Sequence, residues 1–316
     1  MYRKFNNKKL LIIFVALLLV VILISIIDNT KGDRSFTKNL VDVDTADITK
    51  LEIGSLKDGK TITLEKSSGI WKVKKEGVLY NTDATRLAGV IDLLSKMQPS
   101  GVITDSKEKW ADYNATDSLG LRVKVFADKK KKADIIIGRF SAKKSNNPYN
   151  RNPSFKTYIR PYKEKNVYVV DQLMLMSFTT DFNSYRDHNI VKVNPMDIRK
   201  ISFEYPADSS FTLENINGVW NIDNMTADSA GVVNYLNSLR NVTHTTFVDN
   251  KPLGTPSFKM TVEGNNIIKP IVITSTLMDG KKIIQSSMNN DAFFDAESSD
   301  IFNRLFKGKG NFIQKP

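Results

Sequence analysis

The chain of 316 residues contains no cysteine. Disulfides, thiolate metal sites and a cysteine nucleophile are therefore excluded, and stability has to come from packing. Histidine is almost absent. His188 and His244 are the only two, far apart and without Asp or Glu at metal-ligand spacing. A zinc site would have to draw most of its ligands from carboxylates, which is uncommon. There is no Gly-x-Ser-x-Gly elbow, no Walker loop and no dinucleotide fingerprint. We expect no metal, no cofactor and no catalytic residue, so the chain reads as a non-enzyme. Any ATPase acting with it would be another chain.

What is present is ordinary globular material: 41% hydrophobic, 25% charged and 9% aromatic residues. That supports one or two domains with real cores and argues against wholesale disorder. The net charge of +12 is unevenly spread. Arg122 to Lys165 holds fourteen Lys and Arg against Asp128, Asp134 and Glu164, whereas from Met196 onward twelve basic residues face thirteen acidic ones. The charge is one basic region, not a uniformly basic surface.

Leu10 to Ile27 is a run of eighteen residues in which only Ser25 is polar. As a helix it would rise about 27 Å, enough for a bilayer core. Arg3, Lys4, Lys8 and Lys9 precede it. The positive-inside rule then places the N-terminus in the cytoplasm and the remainder outside. The run ends Leu23-Ile24-Ser25-Ile26-Ile27-Asp28, with bulky residues where a signal-peptide cleavage site wants small ones. We read residues 1–27 as a basic tip with an uncleaved single-pass anchor and 28–46 as a polar tether. An extracytoplasmic domain argues against nucleic acid as a partner despite the charge.

The rest reads as one module written twice, over 47–194 and 195–316. Asp47-Ile48-Thr49-Lys50-Leu51 opens the first copy and Asp197-Ile198-Arg199-Lys200-Ile201 the second. Each continues as a three-stranded meander, with turns at Asp58-Gly59 and Ser67-Ser68-Gly69 in the first copy and at Asn217-Gly218 in the second, and with Trp71 and Trp220 in the third strand. A helix follows. Asp83 is a candidate N-cap with Leu87, Val90, Ile91 and Leu94 on one face; Asp228 has Val232, Tyr235, Leu236 and Leu239 at the same offsets. Further strands match in order, and each copy is expected to close on a short amphipathic helix, near Gln172–Phe178 and Ser299–Phe306. The fold class expected is α+β: antiparallel sheets with helices on one face.

Trp71, Trp220, Asp83 and Asp228 are markers of this repeat, and their recurrence favours a packing role. Arg186-Asp187 reads as a charged pair pinning the junction between modules. Two features lack a counterpart in the second copy. One is the basic hairpin Lys129-Lys130-Lys131-Lys132; the other is the polar loop 141–153 with Lys143, Lys144 and Arg151, where the second copy has only Asp279-Gly280. These seven residues are the candidate contacts for an anion or a partner.

Several of these elements resemble an uncharacterised bacterial family, a domain of unknown function found in membrane-anchored extracytoplasmic proteins. They are Asp44, Ile48 and Leu51 at the first strand, Gly69-Ile70-Trp71, Ile137-Gly138, Tyr158-Ile159-Arg160, Val167-Tyr168-Val169-Val170 and Tyr185-Arg186-Asp187-His188-Asn189-Ile190. The family's Gly-Leu-x-x-Pro stretch is only partly matched by Asn114-Ala115-Thr116-Asp117-Ser118-Leu119-Gly120. The resemblance implies no catalytic residue. It implies a neighbourhood beside ABC-type export components, including those resembling the gliding-motility transporter. The expectation is a scaffold or accessory subunit in the periplasm, held to the bacterial inner membrane through residues 10–27. The alternative is a stand-alone module recognising an anionic envelope glycan or lipid headgroup.

Overall fold

The computed structural model describes residues 14–21, 39–55, 57–144, 153–223, 225–297 and 299–313. The first sheet is built from β1 (Ile48–Ser55), β2 (Lys60–Ser67), β3 (Ile70–Lys75), β4 (Val78–Asn81), β5 (Gly101–Thr104), β6 (Leu121–Ala127), β7 (Lys130–Lys143), β8 (Ser154–Pro161) and β9 (Val167–Val170). After β10 (Asn189–Lys192), the second sheet takes β11 (Ile198–Glu204), β12 (Phe211–Ile216), β13 (Val219–Ile222) and β14 (Met225–Thr226). β15 (Asn241–Thr243) pairs with β10, and β16 (Phe247–Val248), β17 (Phe258–Gly264), β18 (Ile271–Met278), β19 (Lys281–Ser286) and β20 (Asn289–Asp295) complete the second sheet.

The strand orders are β4-β3-β2-β1-β6-β7-β8-β9-β5 and β14-β13-β12-β11-β17-β18-β19-β20-β16. Position by position they are the same, and every pairing is antiparallel. Even an irregularity recurs. Ile48 faces Ala127 while Lys50 faces Phe126, and Ile198 faces Gly264 while Lys200 faces Glu263, a bulge at one place in both sheets. Two similar antiparallel sheets suggest a duplication.

Each sheet buries one face. In the first, Leu51, Ile53, Leu64, Val73, Val123, Val125, Ile135 and Ile137 alternate inward beneath the helix Ala84–Ser95. That helix starts because the Asp83 carboxylate accepts the N–H groups of Thr85 and Arg86 at 2.9 and 3.0 Å, and it buries Leu87, Val90 and Leu94. The helix Ser229–Ser238 repeats the arrangement under an Asp228 cap, burying Val232, Tyr235 and Leu236. Each aliphatic side chain so buried contributes about 1.5–3 kcal/mol. The opposite face of the first sheet is polar. Glu52 accepts from Lys50 at 2.9 Å and Lys124 at 3.0 Å, and Asp134 from Arg122 at 2.8 Å and Lys131 at 2.6 Å.

Several expectations change. The antiparallel sheets are as expected, but the protein is mostly β, with few short helices, where an α+β fold was expected. The opening meander has four strands, because β4 and β14 add to it. Gln172–Phe178 is a set of turns and not a helix. Thr157 Oγ1 donates to Gln172 O at 2.5 Å and accepts the Met174 N–H at 3.2 Å, which pins the main chain in place. The second closing helix shortens to Ile301–Leu305. The expected loop 141–153 is partly strand, since β7 runs to Lys143 and β8 starts at Ser154. The end of the tether is packed: Leu40 and Val41 are buried, and the Leu40 N–H reaches Met97 O. Of the apolar run Leu10–Ile27, residues 14–21 are helical and exposed, and the remainder lies outside the described residues. Among the described residues no helix is long and apolar enough to cross a membrane.

Candidate functional site: a groove at the module junction

Both copies close on the cap of their helix. The Asp83 N–H donates to Tyr185 O at 3.0 Å, and the Asp228 N–H donates to Phe312 O at 2.8 Å. The first copy continues through Arg186 and Asp187, which pair along the end of β4: Thr82 bridges Arg186, and the Asp187 N–H donates to Asn81 O at 2.9 Å. This short stretch of backbone is where the two sheets meet.

Arg186 is 1% exposed. Its guanidinium lies 3.9 Å from the Phe247 ring centre, 4.7 Å from Tyr80 and 5.4 Å from Phe182. Its hydrogen bonds are long, 3.4 Å to Asp249 Oδ1 and 3.4 Å to Asp291 O. Rings from both modules thus solvate the cation. Burial lowers its pKa, and the charge of Asp249 works against that. Arg186 and Asp187 sit together at the junction without pairing: the Asp187 carboxylate accepts from the main chain and side chain of Asn189. A polar seam completes the contact. The Asn81 N–H donates to Asp291 Oδ2 at 2.9 Å, the Asn81 amide to Asn289 Oδ1 at 3.2 Å, and the Asn289 amide to Asp187 O at 2.7 Å. Lys75 pairs with Asp249 at 2.9 Å.

Beside this seam opens a groove of about 430 Å³. Its walls are apolar, from Ile70, Trp71, Ala88 and Ile91 on the first module and Met288 on the second; Asn81, Thr82 and Asp187 supply polar groups. Ile70 is 62% exposed and Met288 41%. The second copy differs in sequence and burial at the equivalent positions. Five residues after the cap, the first helix carries Ala88 and the second Val233. Trp71 is only half-buried, whereas Trp220 is 7% exposed. Apolar walls with a few fixed polar groups at a domain junction suit an aliphatic or aromatic side chain.

The basic residues do not form one patch. Lys129, Lys130 and Lys132 line a cavity of about 660 Å³ at the β6–β7 turn, together with Asp47 and Asp128. Lys131 turns away to Asp134. Lys143 and Lys144 lie at the other end of β7, roughly 40 Å away along an extended strand. Arg151 lies outside the described residues. The two histidines, distant in sequence, come together: the His244 N–H donates to His188 O at 3.0 Å, and each ring contacts a main-chain carbonyl, Asp295 O for His244 and Asn183 O for His188. Among the described residues no group of three His, Asp or Glu could hold a metal.

Sequence reasoning missed Asn81, Asn289, Asp291, Asp249 and Phe247. Their partners are 208 and 210 residues apart for the Asn81 contacts, and no local period marks such pairs. Arg160, named above only within Tyr158-Ile159-Arg160, is a second buried cation. Arg160 stacks 3.8 Å from the Trp110 ring centre, donates to Ala115 O at 2.7 Å and to Tyr162 O at 2.9 Å, and pairs with Asp117.

Fold and junction define a duplicated, mostly β protein with a groove between its halves. Residues 71–259 match the family described as a domain of unknown function (DUF4340), and the chain belongs to that family. The match begins at Trp71 and reaches into β17, so it spans the groove helix and the junction. No curated protein and no solved structure matches the chain.

Proposed function

We propose that this protein is a non-enzymatic accessory subunit of an ABC-type export or surface-machinery complex, tethered to the membrane through residues 10–27 with both modules on the extracytoplasmic side. The junction groove receives an apolar side chain of a partner subunit. One observation carries the reading: a groove with apolar walls from Ile70, Trp71 and Ala88 of the first module and Met288 of the second stands open at the junction. The exposed Ile70 and Met288 at its rim are the kind of apolar surface that marks a protein contact. The family resemblance supplies the transporter context. The test is co-purification from native membranes with wild-type chain and with Ala88→Trp. Transporter subunits are expected with the first and lost with the second; their absence from both would refute the reading.

A second reading has its own observation. Lys129, Lys130 and Lys132 gather round one open cavity, as a stand-alone module binding an anionic glycan or lipid headgroup would require. Asp47 and Asp128 on the same cavity weaken it.

A further inference from the structure

β7 and β8 outgrow their sheet. β6 leaves β7 at Ile137, opposite Leu121, and β9 leaves β8 at Thr157. Beyond those points the pairs Ser141–Lys156, Ala142–Phe155 and Lys143–Ser154 form a two-stranded arm, entered through the pair Phe140–Thr157. The matching hairpin of the second copy is shorter, with β18 spanning Ile271–Met278 and β19 Lys281–Ser286. The arm carries Lys143, Lys144 and Lys156, with Arg139 at its base, all exposed, and no acidic residue among its described positions. Among the described residues none of these four forms an ion pair; Arg139 Nε donates instead to Asp112 O at 2.6 Å. Phe140, 40% exposed, lies between the charges.

We propose that this arm is a docking edge for an extended, acidic segment of a partner protein. Among the described residues no third strand pairs with the arm on either flank, and an unpaired edge invites strand addition, which supplies affinity without a pocket. Lysines on such an edge repel a second copy of the same arm and accept a strand of opposite charge. Position argues against a lipid surface. The tether joins the sheet at Ala46 and Asp47, beside the β6–β7 turn, and the arm projects from the opposite end of β7. The inference rests on the accessory-subunit reading and adds to it a contact of stated chemistry, separate from the groove.

The test uses the full chain in neutral detergent and a synthetic peptide of alternating Glu and Val. Wild type is expected to bind the peptide, more weakly as salt rises. Lys143→Glu combined with Lys144→Glu and Lys156→Glu should weaken binding about tenfold, the sum of three exposed charge contacts. Backbone N-methylation of the peptide should weaken it comparably. The corresponding Lys→Gln variant, with an unchanged thermal midpoint, should show an intermediate loss. Equal binding by the triple Glu variant, equal binding of the N-methylated peptide, or lysine-dependent binding to phosphatidylglycerol vesicles without peptide binding would each overturn the proposal. Ala88→Trp separates the two readings: it should bind the peptide as wild type does even if transporter capture proves unrelated to the groove.

Discussion

The guanidinium of Arg186 stacks 3.9 Å from the ring centre of Phe247, so a residue near the end of the first module is buried against an aromatic ring of the second. Tyr80 and Phe182 of the first module complete the box. Removing the side chain leaves a cavity and costs the ring contacts together. Arg186→Ala should destabilise the protein by about 3 kcal/mol. Arg186→Met, which refills the box without a cation to desolvate, should cost about half as much. Urea unfolding measures both. Equal costs would mean that charge, and not volume, holds the junction.

The caps provide a paired test of the duplication. Asp83 and Asp228 each accept two N–H groups at the start of equivalent helices. Replacing either by Ala should cost about 1 kcal/mol. The helices pack on separate sheets, so the double variant should equal the sum within about 0.5 kcal/mol. A large deviation from additivity would show that the two caps are energetically coupled.

The polar face of the first sheet sets an acid limit. At Glu52 and at Asp134 burial pushes the pKa up, but hydrogen bonds from Lys50 and Lys124, and from Arg122 and Lys131, outweigh it and leave both below ordinary carboxylate values. A folded pKa below the unfolded one means stability that is present above the unfolded value. It is lost as pH falls through the folded value. Stability should therefore decline as pH drops below about 4.5. Glu52→Gln should flatten part of that decline, as read from unfolding midpoints across acid pH. An unchanged pH profile in Glu52→Gln would dismiss its role.

Two glycines should respond with opposite signs. A Cβ at Gly138 would fall 2.2 Å from Tyr113 O and 3.1 Å from Tyr158 O, whereas one at Gly89 meets nothing within 4 Å. Gly138→Ala should cost at least about 2 kcal/mol. Gly89→Ala, in the interior of Ala84–Ser95, should stabilise by about 0.5–1 kcal/mol. Thermal melts of the two variants moving in the same direction would contradict this.

What could be read from the sequence was what repeats locally. Leu121, Val123 and Val125 alternate and form β6, and the spacing of Leu87, Val90 and Leu94 marks a buried helical face. The Asp83 and Asp228 caps were visible because a cap and its helix are neighbours in the chain. β4 and β14 escaped because strands of four and two residues are too short to show a period. The arm escaped for a different reason. Ser141-Ala142-Lys143 is solvated on both faces, so no alternation records that it is a strand. The junction was half visible: Arg186 stood out as a charge at the boundary, but its box is assembled from Tyr80, Phe182 and Phe247, and nothing in one sequence links those positions.

The difference between Ala88 and Val233 makes the groove testable without guessing the partner. Ala88→Val copies into the first helix what the second already carries, so the backbone should tolerate it. The lower helix propensity of Val and the methyls it buries against Trp71 oppose each other, leaving stability within about 0.5 kcal/mol of wild type. The groove should nonetheless narrow, and the fluorescence of Trp71, isolated by comparison with Trp71→Phe, should shift to the blue. If the groove receives a partner side chain, capture of that partner from membranes should fall with Ala88→Val and fall further with Ala88→Trp. A graded loss at constant stability is the signature of occlusion. Undiminished capture in both variants, with the blue shift present, would show that the groove closes and that the partner binds elsewhere.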